Sequence, residues 1–193
     1  MNAADNMTPE AAVVAAAGSL GEPGWELRAV SNYGSSQTYN NGRPEGLSRP
    51  GDADGAAGQW LIEFYKNTPT PTSAPDGSPA QQFPIRLIAV GQGPPSALPT
   101  KVMGVSSNQH VFPLPANWAT TLAAIRGRAV AKHPKDRFST NVFCDPTSTD
   151  VNGCVWLIKF YSDSNQIAAQ VFGSVADGTE VARPAWMGPT PDP

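Results

Sequence analysis

The feature that most constrains this chain is a six-residue segment that occurs twice. Trp60-Leu61-Ile62-Glu63-Phe64-Tyr65 returns as Trp156-Leu157-Ile158-Lys159-Phe160-Tyr161, with only the charged position changed. Residues of this kind, apolar, aromatic and β-branched, fit a pleated strand. Side chains alternate along a strand, so Trp60, Ile62 and Phe64 share one face, as do Trp156, Ile158 and Phe160. Leu61, Glu63 and Tyr65, with Leu157, Lys159 and Tyr161, point the other way and are expected to meet solvent or a partner.

The surroundings of the two segments also match in order. Each follows a helix-like stretch and a strand, and each precedes another strand. In the first half, Thr8-Pro9-Glu10 has the features of a helix start: a capping hydroxyl, a proline suited to the first turn and a carboxylate against the dipole. An alanine-rich run over 11–20 continues it to Gly21. Residues 25–30 alternate as a half-buried strand, and 83–90 read as a third strand with Pro84 near an edge. In the second half, Trp118, Leu122, Ile125 and Ala129 fall on one helical face, with Asn117 as the expected cap. His133-Pro134 ends that helix, and strands are expected over 138–144, 154–161 and 166–175.

A matched order of four elements predicts an α+β fold of two tandem helix-plus-antiparallel-sheet units related by pseudo-symmetry. The expected organisation is a first repeat over 1–95, a connector over 96–113, a second repeat over 114–182 and a proline-rich tail over 183–193. The connector has room for a short strand near 102–105 or 110–112. Residues 67–81, rich in Pro, Thr and Ser, read as a loop without core-forming power.

Cys144 and Cys154 are the two cysteines. The residues between them begin Asp-Pro and end Asn-Gly, which is turn chemistry, and strand-like runs flank both. If those runs pair as a hairpin, the cysteines face each other at its mouth, where cross-strand geometry allows a disulfide. Such bonds persist in oxidising compartments, so the expected location is periplasmic or secreted. The other readings are two free thiols in a reducing compartment or half of a metal site. A zinc site needs four ligands, and His110 and His133 have no ligand spacing to the cysteines.

Chemistry-bearing motifs are scarce. Asp52-Ala53-Asp54-Gly55 resembles a calcium loop only superficially, since its sixth position is Ala57 where glycine is required. Gly91-Gln92-Gly93 lacks the third glycine and the helix of a phosphate cradle. Neither histidine lies near a nucleophile motif. No metal, no cofactor and no catalytic residue is therefore expected. The 193 residues carry a net charge of −3, and charged residues are 15% of the chain. The densest basic stretch, Arg126, Arg128, Lys132, Lys135 and Arg137, reads as a solvated helix face, so nucleic acid is not an expected partner. No apolar run reaches the ~20 residues needed to span a bilayer, so an integral membrane protein is not expected either.

Residues 31–58 form a long segment rich in Ser, Asn, Tyr and Gly, the residue types of adaptable binding loops. Tyr33 and Tyr39 in it, with Tyr161 on the repeated strand, are the candidate partner-binding residues.

Thr8-Pro9-Glu10-Ala11-Ala12, the alanine-rich helix, the strand after it and the segment at 60–65 together resemble a PepSY-type domain. That resemblance implies a helix on a small antiparallel sheet in an exported, non-catalytic protein with an inhibitory or regulatory role toward a protease. The layout of tandem helix-plus-sheet units with a disulfide is also similar to secreted β-lactamase inhibitory proteins, which bind through a concave sheet and a protruding hairpin loop. The function expected is a non-catalytic exported module engaging a protein or envelope partner through loops and a sheet face. The alternatives are a structural subunit of an envelope assembly and a hydrolase whose site forms only in three dimensions.

Overall fold

A computed structural model describes residues 7–32, 47–48, 57–91, 94–98, 101–106, 111–145, 147–163 and 166–188, with 101–106 described by backbone alone. Its order is α1 (Pro9–Gly18), β1 (Glu26–Ser31), β2 (Trp60–Tyr65), β3 (Thr70–Ser73), β4 (Pro79–Val90), β5 (Ser96–Ala97), β6 (Lys101–Ser106), α2 (Trp118–Lys132), β7 (Arg137–Cys144), β8 (Cys154–Tyr161), β9 (Ile167–Ser174) and β10 (Glu180–Val181). The fold is α+β. One antiparallel sheet runs β1-β2-β4-β3, with β5 and β6 also on β4, and a second runs β10-β9-β8-β7.

The two repeated segments are β2 and β8, each central in its sheet. Their alternation works as the period-2 pattern requires. Trp60, Ile62, Phe64, Trp156, Ile158 and Phe160 are all buried in one apolar cluster. That cluster also takes Ala12 and Ala16 from α1 and Leu122, Ile125 and Ala129 from α2. Helices thus cover one face of both sheets, and the core runs unbroken between the two halves. Each tryptophan finds a different partner for its indole N–H. Trp60 donates to the Met7 carbonyl at 2.7 Å, and Trp156 donates to Thr121 Oγ1 at 3.1 Å.

Local chemistry explains the helix ends. Thr8 caps α1 by accepting the Ala11 N–H at 3.2 Å. Asn117 does not cap α2; its side-chain amide donates to the Ala176 carbonyl at 3.2 Å and ties the helix start to the turn after β9. Two glycines let α2 lie close on its sheet. A Cβ at Gly173 would stand 2.5 Å from Ile125, and Gly178 has φ +72° beside the Thr121 carbonyl.

Two further segments differ from expectation. Residues 67–81 hold β3 and the start of β4, joined at the Ala74–Ser78 turn. Poor strand formers pair there because β4 supplies a template along its length. The stretch 96–113 carries β5 and, where the sequence has room for a short strand near 102–105, β6; both extend the first sheet. Within 183–193, residues 185–187 form a 3₁₀ turn held by Arg183, which donates from Nε to the Gly188 carbonyl at 3.0 Å and from Nη2 to the Met187 carbonyl at 3.2 Å.

Cys144 and Cys154 are joined in a disulfide at the mouth of the β7–β8 hairpin. Replacing both with serine removes a crosslink over a short loop and is expected to cost about 2–3 kcal/mol. The midpoint of thermal unfolding should then fall by about 5–10 °C, as calorimetry of the oxidised protein and the double variant would measure.

A buried polar link joins the two sheets. Asn32, just after β1, donates its backbone N–H to the Thr140 carbonyl at 3.2 Å and accepts the Thr140 N–H on its side-chain oxygen at 2.5 Å. Its amide nitrogen donates to Ser48 Oγ at 2.8 Å, and Ser48 exchanges two backbone bonds with Phe138 at 3.0 Å each. Asn32→Ala would leave buried groups unpaired and is expected to cost about 2–4 kcal/mol. Urea unfolding of the variant should show a lower midpoint with an unchanged slope.

Candidate functional site

The face turned away from the helices is only partly open. On the first sheet Leu61, Tyr65, Phe83, Ile85 and Leu87 form a small buried cluster with Leu98 and Val111 against it. On the second, Val155, Leu157 and Phe172 form another, with Phe143, Val181 and Met187 against it. The expectation of a solvated second face therefore fails at its apolar positions, which chain from later in the sequence covers.

Between those two covered patches lies the junction of β1 and β7. In β7, Phe138 and Thr140 turn their backbone groups toward the junction, to Ser48 and Asn32. Alternation places Val142 next. β1 and β7 belong to separate sheets and are not paired as a ladder among the described residues. Farther along β1, the Leu27 carbonyl accepts the Leu114 N–H at 2.8 Å. A bulge at Arg28 shifts the β1–β2 register between Leu27 and Ala29.

The result is a pocket of about 210 Å³ at the junction. Leu61, Leu87 and Phe143 give it apolar walls; Ser31, Asn141 and the Arg28–Glu63 pair give it polar ones. Arg28 Nη1 donates to Glu63 Oε1, an ion pair across adjacent strands. Beyond it, Tyr65 donates its hydroxyl to Glu26 Oε2 at 3.4 Å. Such a wall combines apolar side chains with a paired donor and acceptor, suited to holding an apolar side chain beside polar backbone.

The sequence candidates fall unevenly around this pocket. Tyr33, Tyr39 and His110 lie outside the described residues, as do Asp52 and Asp54. Tyr161 is buried, with its hydroxyl 3.3 Å from Ser139 Oγ. It supports the second sheet from within. His133 stacks on Phe160 with ring centres 4.4 Å apart and sits 3.3 Å from the Asp136 carboxylate. Of the pocket residues, Ser31 opens the 31–58 segment read as a binding loop, whereas Arg28 and Asn141 carry no sequence signal, since only the meeting of β1 with β7 brings them together. Glu63 had one legible signal: it is the charged position that differs between the two repeated segments.

Among the described residues no group of three or more His, Cys, Asp and Glu side chains is placed to hold a metal ion. None of the described helices is long and apolar enough to cross a membrane.

Burial, reinforced by the negative charge and hydrogen bond of Glu26, pushes the Tyr65 hydroxyl up to about 12. The unfolded chain ionises this group near pH 10 while the folded chain keeps its proton, so the folded state binds more protons between the two values. Stability linked to Tyr65 is therefore complete below pH 10 and declines as pH rises toward 12. Thermal unfolding of the parent and of Tyr65→Phe across this range should show a shallower decline in the variant.

No family model, curated protein or solved structure matches the chain.

Proposed function

We propose that this protein is an exported, non-catalytic binding module that engages a protein partner at the β1–β7 junction. One observation carries the reading: a pocket with apolar walls and a fixed ion pair opens on the helix-free side, between two patches that the chain itself covers. Its apolar lining, Leu61, Leu87 and Phe143, would lose further contact with water on association. The Cys144–Cys154 disulfide supports export, because such crosslinks persist in oxidising compartments. The twin central strands, each behind its own helix, support origin by duplication, with the junction between the copies as the new surface.

Ser31→Arg tests the proposal by filling the pocket without touching the apolar core. A partner captured from the native host's extracytoplasmic fraction by the parent chain should be lost by about tenfold or more with the variant, at matched thermal stability. Equal capture by both proteins would overturn the junction as the binding site. Hydrolase activity that disappears with His133→Ala, with no partner captured, would overturn the non-catalytic reading.

A further inference from the structure

Beside the pocket, on the same helix-free face of the second sheet, three cations line up across the strands. Arg137 lies opposite Tyr161 on β8, and Lys159 is the diagonal neighbour two residues back. Diagonal positions in an antiparallel pair stand about 7–8 Å apart. Lys159 is in turn directly opposite Gln170 on β9. Gln170 accepts a hydrogen bond from Arg183 Nη1 at 3.1 Å, and the Arg183 guanidinium lies 5.7 Å from the centre of the Phe172 ring.

This row is electrostatically uncompensated at Lys159 and Arg137. Neither forms an ion pair with any carboxylate among the described residues, whereas Arg28, Lys66, Arg86 and Lys132 each have one. Half-burial and the nearby Arg183 charge hold the Lys159 ammonium below the usual lysine range. Global basicity does not account for the row, because the chain as a whole carries a net charge of −3. A partly desolvated cation set beside another cation disfavours the folded state unless an anion arrives, and perturbed groups of this kind collect at functional surfaces.

We infer that the row of Arg137, Lys159 and Arg183, continuing from the junction pocket along β7, docks an acidic segment of a partner protein that places an apolar side chain in the pocket and carboxylates over Lys159. The inference rests on the proposed binding role and adds the chemistry of the partner. The apolar end is fixed by Leu61, Leu87 and Phe143 in the pocket wall. The acidic end is fixed by charge complementarity, which supplies specificity and encounter rate.

The test uses two blocked peptides on the full chain, a leucine followed by four glutamates and the same peptide with glutamines, followed by fluorescence anisotropy at low salt. The acidic probe should bind about tenfold tighter, and the difference should shrink as salt screens the charges. Lys159→Gln should weaken the acidic probe about fivefold, leave the glutamine probe unchanged, and hold or raise thermal stability, since it removes an unpaired cation. Arg137→Gln should act in the same direction, and Lys159→Arg should retain binding. Equal affinity for both probes, or a Lys159→Gln variant that binds the acidic probe like the parent, overturns the inference. So does a large loss of stability in Lys159→Gln, which would make the lysine a structural group. Capture that is sensitive to Ser31→Arg and indifferent to Lys159→Gln would remove the acidic partner while leaving the junction site standing.

Discussion

The side chain of Asn32 determines how the two sheets meet. It bonds the Thr140 backbone on one side and Ser48 on the other, in a position with no access to water. A primary amide offers both donors and an acceptor, so one residue satisfies groups on two segments that would otherwise be buried unpaired. The contact is 108 residues apart in sequence for Asn32 and Thr140. It closes the junction at one end, while farther along β1 the Leu27 carbonyl is taken by Leu114, from the segment before α2. The pocket lies where β1 and β7, which belong to separate sheets, run side by side beyond the Asn32–Thr140 link. Were β1 and β7 bonded throughout, the two sheets would form a continuous surface with no opening.

Packing on the helix side gives this arrangement its rigidity. Trp60 and Trp156 stand at equivalent places in β2 and β8, but their indole N–H groups are anchored to different elements. The closer fit is in the second half, where Gly173 lets Ile125 sit directly on the sheet. On the first half, a charged clasp does part of this work at the rim. Lys66 and Arg86 lie over the Trp25 ring at 4.9 and 5.1 Å, and both pair with Glu22. The Lys66 hydrogen bond, with that of Trp25, keeps the Glu22 carboxyl below its ordinary range.

Much of the fold was legible in local pattern. The β8 bounds, the buried face of α2, the cap at Thr8 and the facing cysteines all follow from period and turn chemistry at short range. What was not legible depends on distant partners. The polar segment at 67–81 becomes β3 and part of β4 only because a long strand lies beside it. Asn117 reads as a cap by position, yet its amide is drawn to Ala176, 59 residues away. Leu61 and Leu157 read as half-exposed by alternation, whereas Leu98 and Met187 pack against their clusters from later in the chain. The candidate site belongs wholly to this second class. Its residues come from β1, β2, β4 and β7, and no window of sequence contains them together.

The disulfide has a consequence that reaches beyond the hairpin it closes. Cys144 directly follows Phe143, which forms part of the pocket wall. Strand ends fray, and a fraying β7 would let that aromatic ring swing through several rotamers before any encounter. The crosslink restricts this freedom in advance, so any ligand of the pocket would meet a wall whose ordering entropy is already lost. In an oxidising compartment, the order of this pocket wall would thus be set in the same step that completes the hairpin.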